Sequence, residues 1–131
     1  MNNREQVFKI NVLQVGSTTE KKEVIKLLII LKLLEHNRGN YTNTNIYTNI
    51  ELENKMFCDI YYENLKTKEV LIFEIVKDIP EDKRELKNKY YKDLKISFME
   101  KVDWNIIDTE DFPDDIKLMG KKILEMIGRN L

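Results

Sequence analysis

The sequence predicts a mixed α/β domain in which a helix, three strands, a helix, a strand and a last helix follow one another. Three observations predict it. Apolar residues recur at helical spacing after Gly16, three β-rich segments follow with polar turns between them, and helix and strand patterns alternate thereafter.

Val7 to Val15 reads as a short extended segment, closed by Gly16-Ser17-Thr18-Thr19. Thr18 or Thr19 suits a helix cap, and Glu20 and Glu23 place acids in the first turn. Val24, Leu27, Leu28, Leu31 and Leu34 keep helical spacing, while Ile29, Ile30 and Leu33 widen the apolar surface, so this helix is expected to be covered on more than one side and to stop near Asn37. His36 reads as a residue favoured by the helix dipole rather than as a ligand. Ile46 to Glu53 and Phe57 to Glu63 read as strands with Asn54-Lys55 as the turn, and Asn64 to Lys68 is short enough for a hairpin. Val70 to Ile79 is the strongest strand; its apolar residues do not alternate, which predicts a central strand covered on both faces. Pro80-Glu81-Asp82 opens a second helix to about Leu94, Trp104 to Asp108 is a strand, and Asp111 to about Ile127 is the last helix. The three adjacent strands are expected to form a meander, with the fourth joining in parallel after a helical crossover.

The 131 residues fit one domain, 1–131, and are enough to bury a core without staples. With 42% hydrophobic and 34% charged residues the chain is globular in composition, and a net charge of −1 means any phosphate binding must come from a local patch. One cysteine, Cys58, excludes an intrachain disulfide and a cysteine-rich zinc site, and one histidine excludes a multi-histidine metal site. A bound metal would be held by oxygen, which suits Mg²⁺ or Mn²⁺. The apolar run Leu27 to Leu31 is too short to span a membrane, and no membrane partner is expected. The expected location is the cytoplasm.

Two acids interrupt the strands. Asp59 sits between Cys58 and Ile60, and Glu74 lies inside the run Phe73-Glu74-Ile75-Val76-Lys77. Strict alternation places Phe57, Asp59, Tyr61 and Glu63 on one face of their strand, with Cys58 opposite as a small buried hydrophobe. It places Val70, Ile72, Glu74 and Val76 together on the next strand. A buried carboxylate is costly unless it is paired or bound to metal, and two of them on neighbouring strands repel each other and invite a divalent cation. The plainer reading is of solvated acids on a strand face.

Asp59, the hairpin and then Phe73-Glu74-Ile75-Val76-Lys77 resemble the motif of the PD-(D/E)XK nucleases, the superfamily of restriction endonucleases and archaeal Holliday-junction resolvases. The likeness covers roughly residues 16 to 110, and the element order carries more of it than the short motif. It implies a restriction-endonuclease-like core, a mixed four- to five-stranded sheet flanked by helices in the order α-β-β-β-α-β-α. It also implies a metal-dependent DNA endonuclease, archaeal or from a virus or mobile element (then in the host cytoplasm), acting as a homodimer. Asp59, Glu74 and the Ile75 carbonyl would hold Mg²⁺ or Mn²⁺, with Glu20, or Glu23 in its stead, completing the site; a helix-start acid is the plainer reading of Glu20. The sequence departs from the pattern in three ways, one being that its net charge of −1 lacks the strong positive charge of many such nucleases. Cys58 stands where the motif has proline, and Val76 stands where it has lysine. The ammonium must then come from Lys77 through a β-bulge, or from Lys83 or Lys87 on the second helix, or the domain binds nucleic acid or protein without cutting.

Lys83, Arg84 and Lys87 form the candidate DNA-contacting patch, diluted by Glu81, Asp82, Glu85 and Asp93; the plainer reading is a solvated helix laced with ion pairs. Tyr61-Tyr62 and Tyr90-Tyr91 suit base stacking or packing. Asp103 to Asp115 holds six acids and no base, a stretch expected to face away from nucleic acid or to meet a basic protein.

Overall fold

The structure is a computed structural model that describes residues 18–39, 42–52 and 56–130. The expected strand over Val7 to Val15, the Gly16-Ser17 break and the Asn54-Lys55 turn lie outside the described residues. The described elements are α1 (Thr18–His36), β1 (Thr44–Glu51), β2 (Phe57–Asn64), β3 (Glu69–Val76), α2 (Glu81–Asp93), β4 (Lys101–Asp108), a 3-10 turn (Thr109–Asp111) and α3 (Ile116–Asn130). They form two compact units, one running from Asn37 to Asp111 and the other combining α1 with the chain from Phe112 onward.

In the helical unit, α1 and α3 pack together. Ile25, Ile29 and Leu33 repeat every fourth residue on α1, as Met119, Ile123 and Ile127 do on α3, and all six are buried. Each such side chain contributes roughly 1.5–3 kcal/mol by leaving water. Asp115 starts α3: its Oδ1 accepts the Leu118 N–H at 3.1 Å, so the helix begins at Ile116 rather than at Asp111. Lys21 Nζ pairs with Asp114 at 2.9 Å and donates to the Phe112 carbonyl. No helix among the described residues is long and apolar enough to cross a membrane.

The other unit is one four-stranded sheet in the order β1-β2-β3-β4. β1, β2 and β3 are an antiparallel meander, and β4 returns parallel to β3 after α2. The element order and the parallel fourth strand are those the sequence predicts. Asn64 shapes the β2–β3 turn, its Oδ1 accepting the N–H groups of Lys66 and Thr67. The Lys68 carbonyl then accepts the N–H groups of Glu100 and Lys101, which fixes where β4 begins, three residues before Trp104.

β3 is buried from Val70 to Ile75 on both faces, as its unbroken apolar run predicts. On one face Cys58, Val70, Ile72 and Tyr91 form a core, with Tyr61, Leu94, Val102, Trp104 and Ile106 packed around it. The strand stops at Val76, short of Ile79, because Asp78 takes a left-handed φ of 51° and Pro80 caps α2 with φ −62°. Trp104 stacks on Tyr91 with ring centroids 6.0 Å apart and donates Nε1–H to Asn88 at 2.9 Å, which seats α2 on this face.

Candidate active site

The site lies in the sheet unit and is built from β2, β3 and α2. Glu74 stands in the covered centre of β3 and is only 5% exposed. A carboxylate in that position needs partners, and α2 supplies two from adjacent turns. The Tyr91 hydroxyl donates to Glu74 Oε1 at 2.5 Å, and the Lys87 ammonium lies 2.5 Å from Oε2. Lys87 and Tyr91 are four residues apart, so one face of the helix carries both.

Asp59 is buried too. Its Oδ2 accepts the N–H of Ile75 at 2.6 Å, the amide of the peptide that joins Glu74 to Ile75. This contact belongs to a local break in the sheet. The β1–β2 register passes from Thr48↔Ile60 to Ile50↔Cys58 over Asn49 and Asp59, and Asn49 has a left-handed φ of 53°. The β2–β3 ladder begins at Ile60↔Phe73, so the Asp59 carboxylate takes a backbone N–H just beyond the last rung. Cys58, Asp59 and Ile60 are all buried, and Cys58 joins the core beside Tyr91. The expected alternation across β2 therefore holds from Ile60 onward and fails at Cys58, which packs with the Tyr91 that holds Glu74.

Electrostatics tie these groups together. Burial pushes the Cys58 thiol up to about 11, and the charges of both Asp59 and Glu74 add to that rise. Burial also raises the Tyr91 hydroxyl, and the Glu74 carboxylate that it bonds raises it further, so Tyr91 stays a proton donor to Glu74. Burial likewise raises Tyr61 to about 12.

Lys87 meets Glu74, and Asp59 bonds the N–H of the residue that follows Glu74. Lys77 is exposed past the end of β3, and the β3–β4 register is continuous from Glu69↔Lys101 to Val76↔Asp108, so no bulge turns Lys77 inward. Glu20 and Glu23 are exposed on α1, which belongs to the helical unit. Of the proposed DNA contacts, Lys83 is exposed. Arg84 is half-buried and donates Nη1–H to the Ile106 carbonyl at 3.2 Å, and Lys87 is committed to Glu74. Among the described residues the one ion pair made by α2 is Lys87–Glu74, so the expected lacing of that helix by internal ion pairs is absent. The sequence offered Tyr91 as a packing or stacking residue; the signal for its role was its position four residues after a lysine.

The acidic stretch is largely absorbed by structure. Asp108 accepts the N–H groups of Asp78, Ile79 and Glu110 at 2.9, 3.1 and 2.9 Å. Burial works to raise its carboxyl, but these three N–H groups and the Arg84 charge outweigh burial and hold it below the usual carboxylate value. Asp103 lies near Lys101, Asp114 pairs with Lys21 and Asp115 caps α3.

Among the described residues no group of three or more His, Cys, Asp or Glu side chains is arranged to hold a metal. Mg²⁺ takes one or two protein carboxylates and completes its shell with water and phosphate oxygens, so Asp59 and Glu74 are the buried residues of this site that could serve as its ligands. The chain matches no family model, no curated protein and no solved structure among those with which it was compared.

Proposed function

We propose that this chain is a metal-dependent DNA endonuclease on a restriction-endonuclease-like core, in which Lys87 replaces the missing motif lysine. The observation that carries this reading is the Lys87 ammonium on the buried Glu74 carboxylate, beside an Asp59 carboxylate that reaches the Glu74–Ile75 peptide. The meander followed by a parallel fourth strand supports it. Asp59, Glu74 and the Ile75 carbonyl would hold Mg²⁺ or Mn²⁺. A cation bound there supplies Lewis-acid polarisation of a phosphoryl oxygen and a lower pKa for its water. Tyr91 fixes the Glu74 rotamer, Asp59 is fixed by the Ile75 N–H, and Lys87 orients the attacking water and offsets the charge that develops on the phosphate. A homodimer would present two such sites, one for each DNA strand.

The test uses plasmid, branched and single-stranded DNA with Mg²⁺, Mn²⁺ or EDTA. Metal-dependent cutting is expected, lost in Asp59→Ala, Glu74→Ala and Lys87→Ala and kept in Lys77→Ala. A second reading, a nucleic-acid-binding or protein-interaction domain without catalysis, is favoured by one observation: Tyr91 and Lys87 already engage both Glu74 oxygens. Binding without cutting under every metal condition supports that reading and overturns the first.

A further inference from the structure

The two partners of Glu74 differ in a way that matters for loading a cation. Tyr91 is 1% exposed, neutral and held in the core by its ring contacts with Trp104 and Tyr90. Lys87 is charged, and its side chain is 30% exposed. A lysine has a flexible four-carbon stem and a strongly hydrated head, so an ammonium at the edge of the core has a low-cost way into water. A tyrosine hydroxyl in the core has none.

The Lys87 ammonium meets the same carboxylate that a metal reading needs. Two positive charges at one carboxylate oxygen repel each other, so cation and ammonium compete for it. Without a cation, Lys87 neutralises a carboxylate that would otherwise be buried with only a neutral donor. With a cation bound, that compensation is supplied anew and the ammonium is released.

We propose that Lys87 is a latch on the metal site: it occupies the Glu74 carboxylate in the cation-free protein, and loading frees it toward the scissile phosphate. The inference rests on Asp59 and Glu74 being the cation ligands. It makes Tyr91 the fixed positioning residue and Lys87 the exchangeable one.

Calorimetric titration of the full chain with Mn²⁺ tests this without reference to cutting. Lys87→Met is expected to bind Mn²⁺ about tenfold more tightly than the native chain, because a competing positive charge is gone. Tyr91→Phe, which removes a neutral partner, is expected not to tighten binding. A second measurement needs no substitution. Saturating Mg²⁺ is expected to raise the acetylation rate of Lys87 several-fold relative to the exposed Lys83 and Lys89 of the same helix, read by mass spectrometry. Native binding that is lost in Asp59→Asn but is no tighter in Lys87→Met overturns the latch and leaves the metal site standing. Unchanged Lys87 acetylation in a native chain that binds Mg²⁺ does the same. Absence of Mn²⁺ binding in every form overturns both.

Discussion

Glu74 and Asp108 are buried acids on neighbouring parallel strands, and they are satisfied in opposite ways. Asp108 is held by backbone: three N–H groups from the turn after β3 and from the residue two places on converge on its two oxygens. Glu74 is held by side chains, a hydroxyl and an ammonium from α2. Backbone donors cannot leave without moving the chain, so Asp108 fixes the left-handed Asp78 turn and with it the start of α2. Of its two donors only Lys87, with a side chain 30% exposed, has room to rotate away without moving the chain. Three main-chain donors make Asp108 part of the frame, whereas Glu74 depends on how α2 places two side chains.

The sharpest break in this contrast comes from Asp108→Ala. Leaving three N–H groups without their charged acceptor is expected to cost about 3–4 kcal/mol in urea unfolding. The same residue has a pH signature. Its folded pKa lies below its ordinary value of 3.8, so its contribution is full above that value and is lost as pH falls through the lower folded one. Asp108→Asn should therefore flatten the acid limb of the stability curve, and an unchanged limb would count against the three-donor arrangement.

Next in size is the Glu74–Lys87 pair. Lys87→Met alone is expected to cost about 2 kcal/mol, because a buried carboxylate keeps only one donor. The double variant Glu74→Leu, Lys87→Met should recover most of that loss, since no uncompensated charge remains. A double variant as unstable as the sum of the singles would place Glu74 in the frame with Asp108. Tyr91→Phe should cost about 1 kcal/mol by thermal or urea unfolding, one hydrogen bond to a charged group with the ring packing kept. The smallest effect is expected for Lys77→Ala, within about 0.5 kcal/mol, because Lys77 is exposed beyond the strand.

Much of this architecture was legible in the residues. Val70 to Ile75 announced a central strand because the run lacks alternation, and the Pro80-Glu81-Asp82 start placed α2 to within a residue. Asp59 and Glu74 stood out because acids interrupt apolar strands. Less legible was the break at Asp59. A strand pattern assumes strict alternation, and nothing local announces that Asn49 on the adjacent strand adopts a left-handed φ or that a carboxylate takes a backbone N–H. α3 starts later than the sequence predicts because Asp111, Asp114 and Asp115 are all of a capping type, and the Asp115–Leu118 bond decides among them. The choice between Lys77, Lys83 and Lys87 depended on how α2 is rotated against the sheet, a tertiary fact that periodicity alone does not fix.

That Lys87 and Tyr91 share one face of α2 has a practical corollary for anyone altering this chain. An α-helix advances about 100° per residue. Inserting one residue between Pro80 and Lys87 would swing both groups off Glu74 together while leaving composition and helical content almost unchanged. A circular-dichroism spectrum would then look native in a protein whose acid has been stranded.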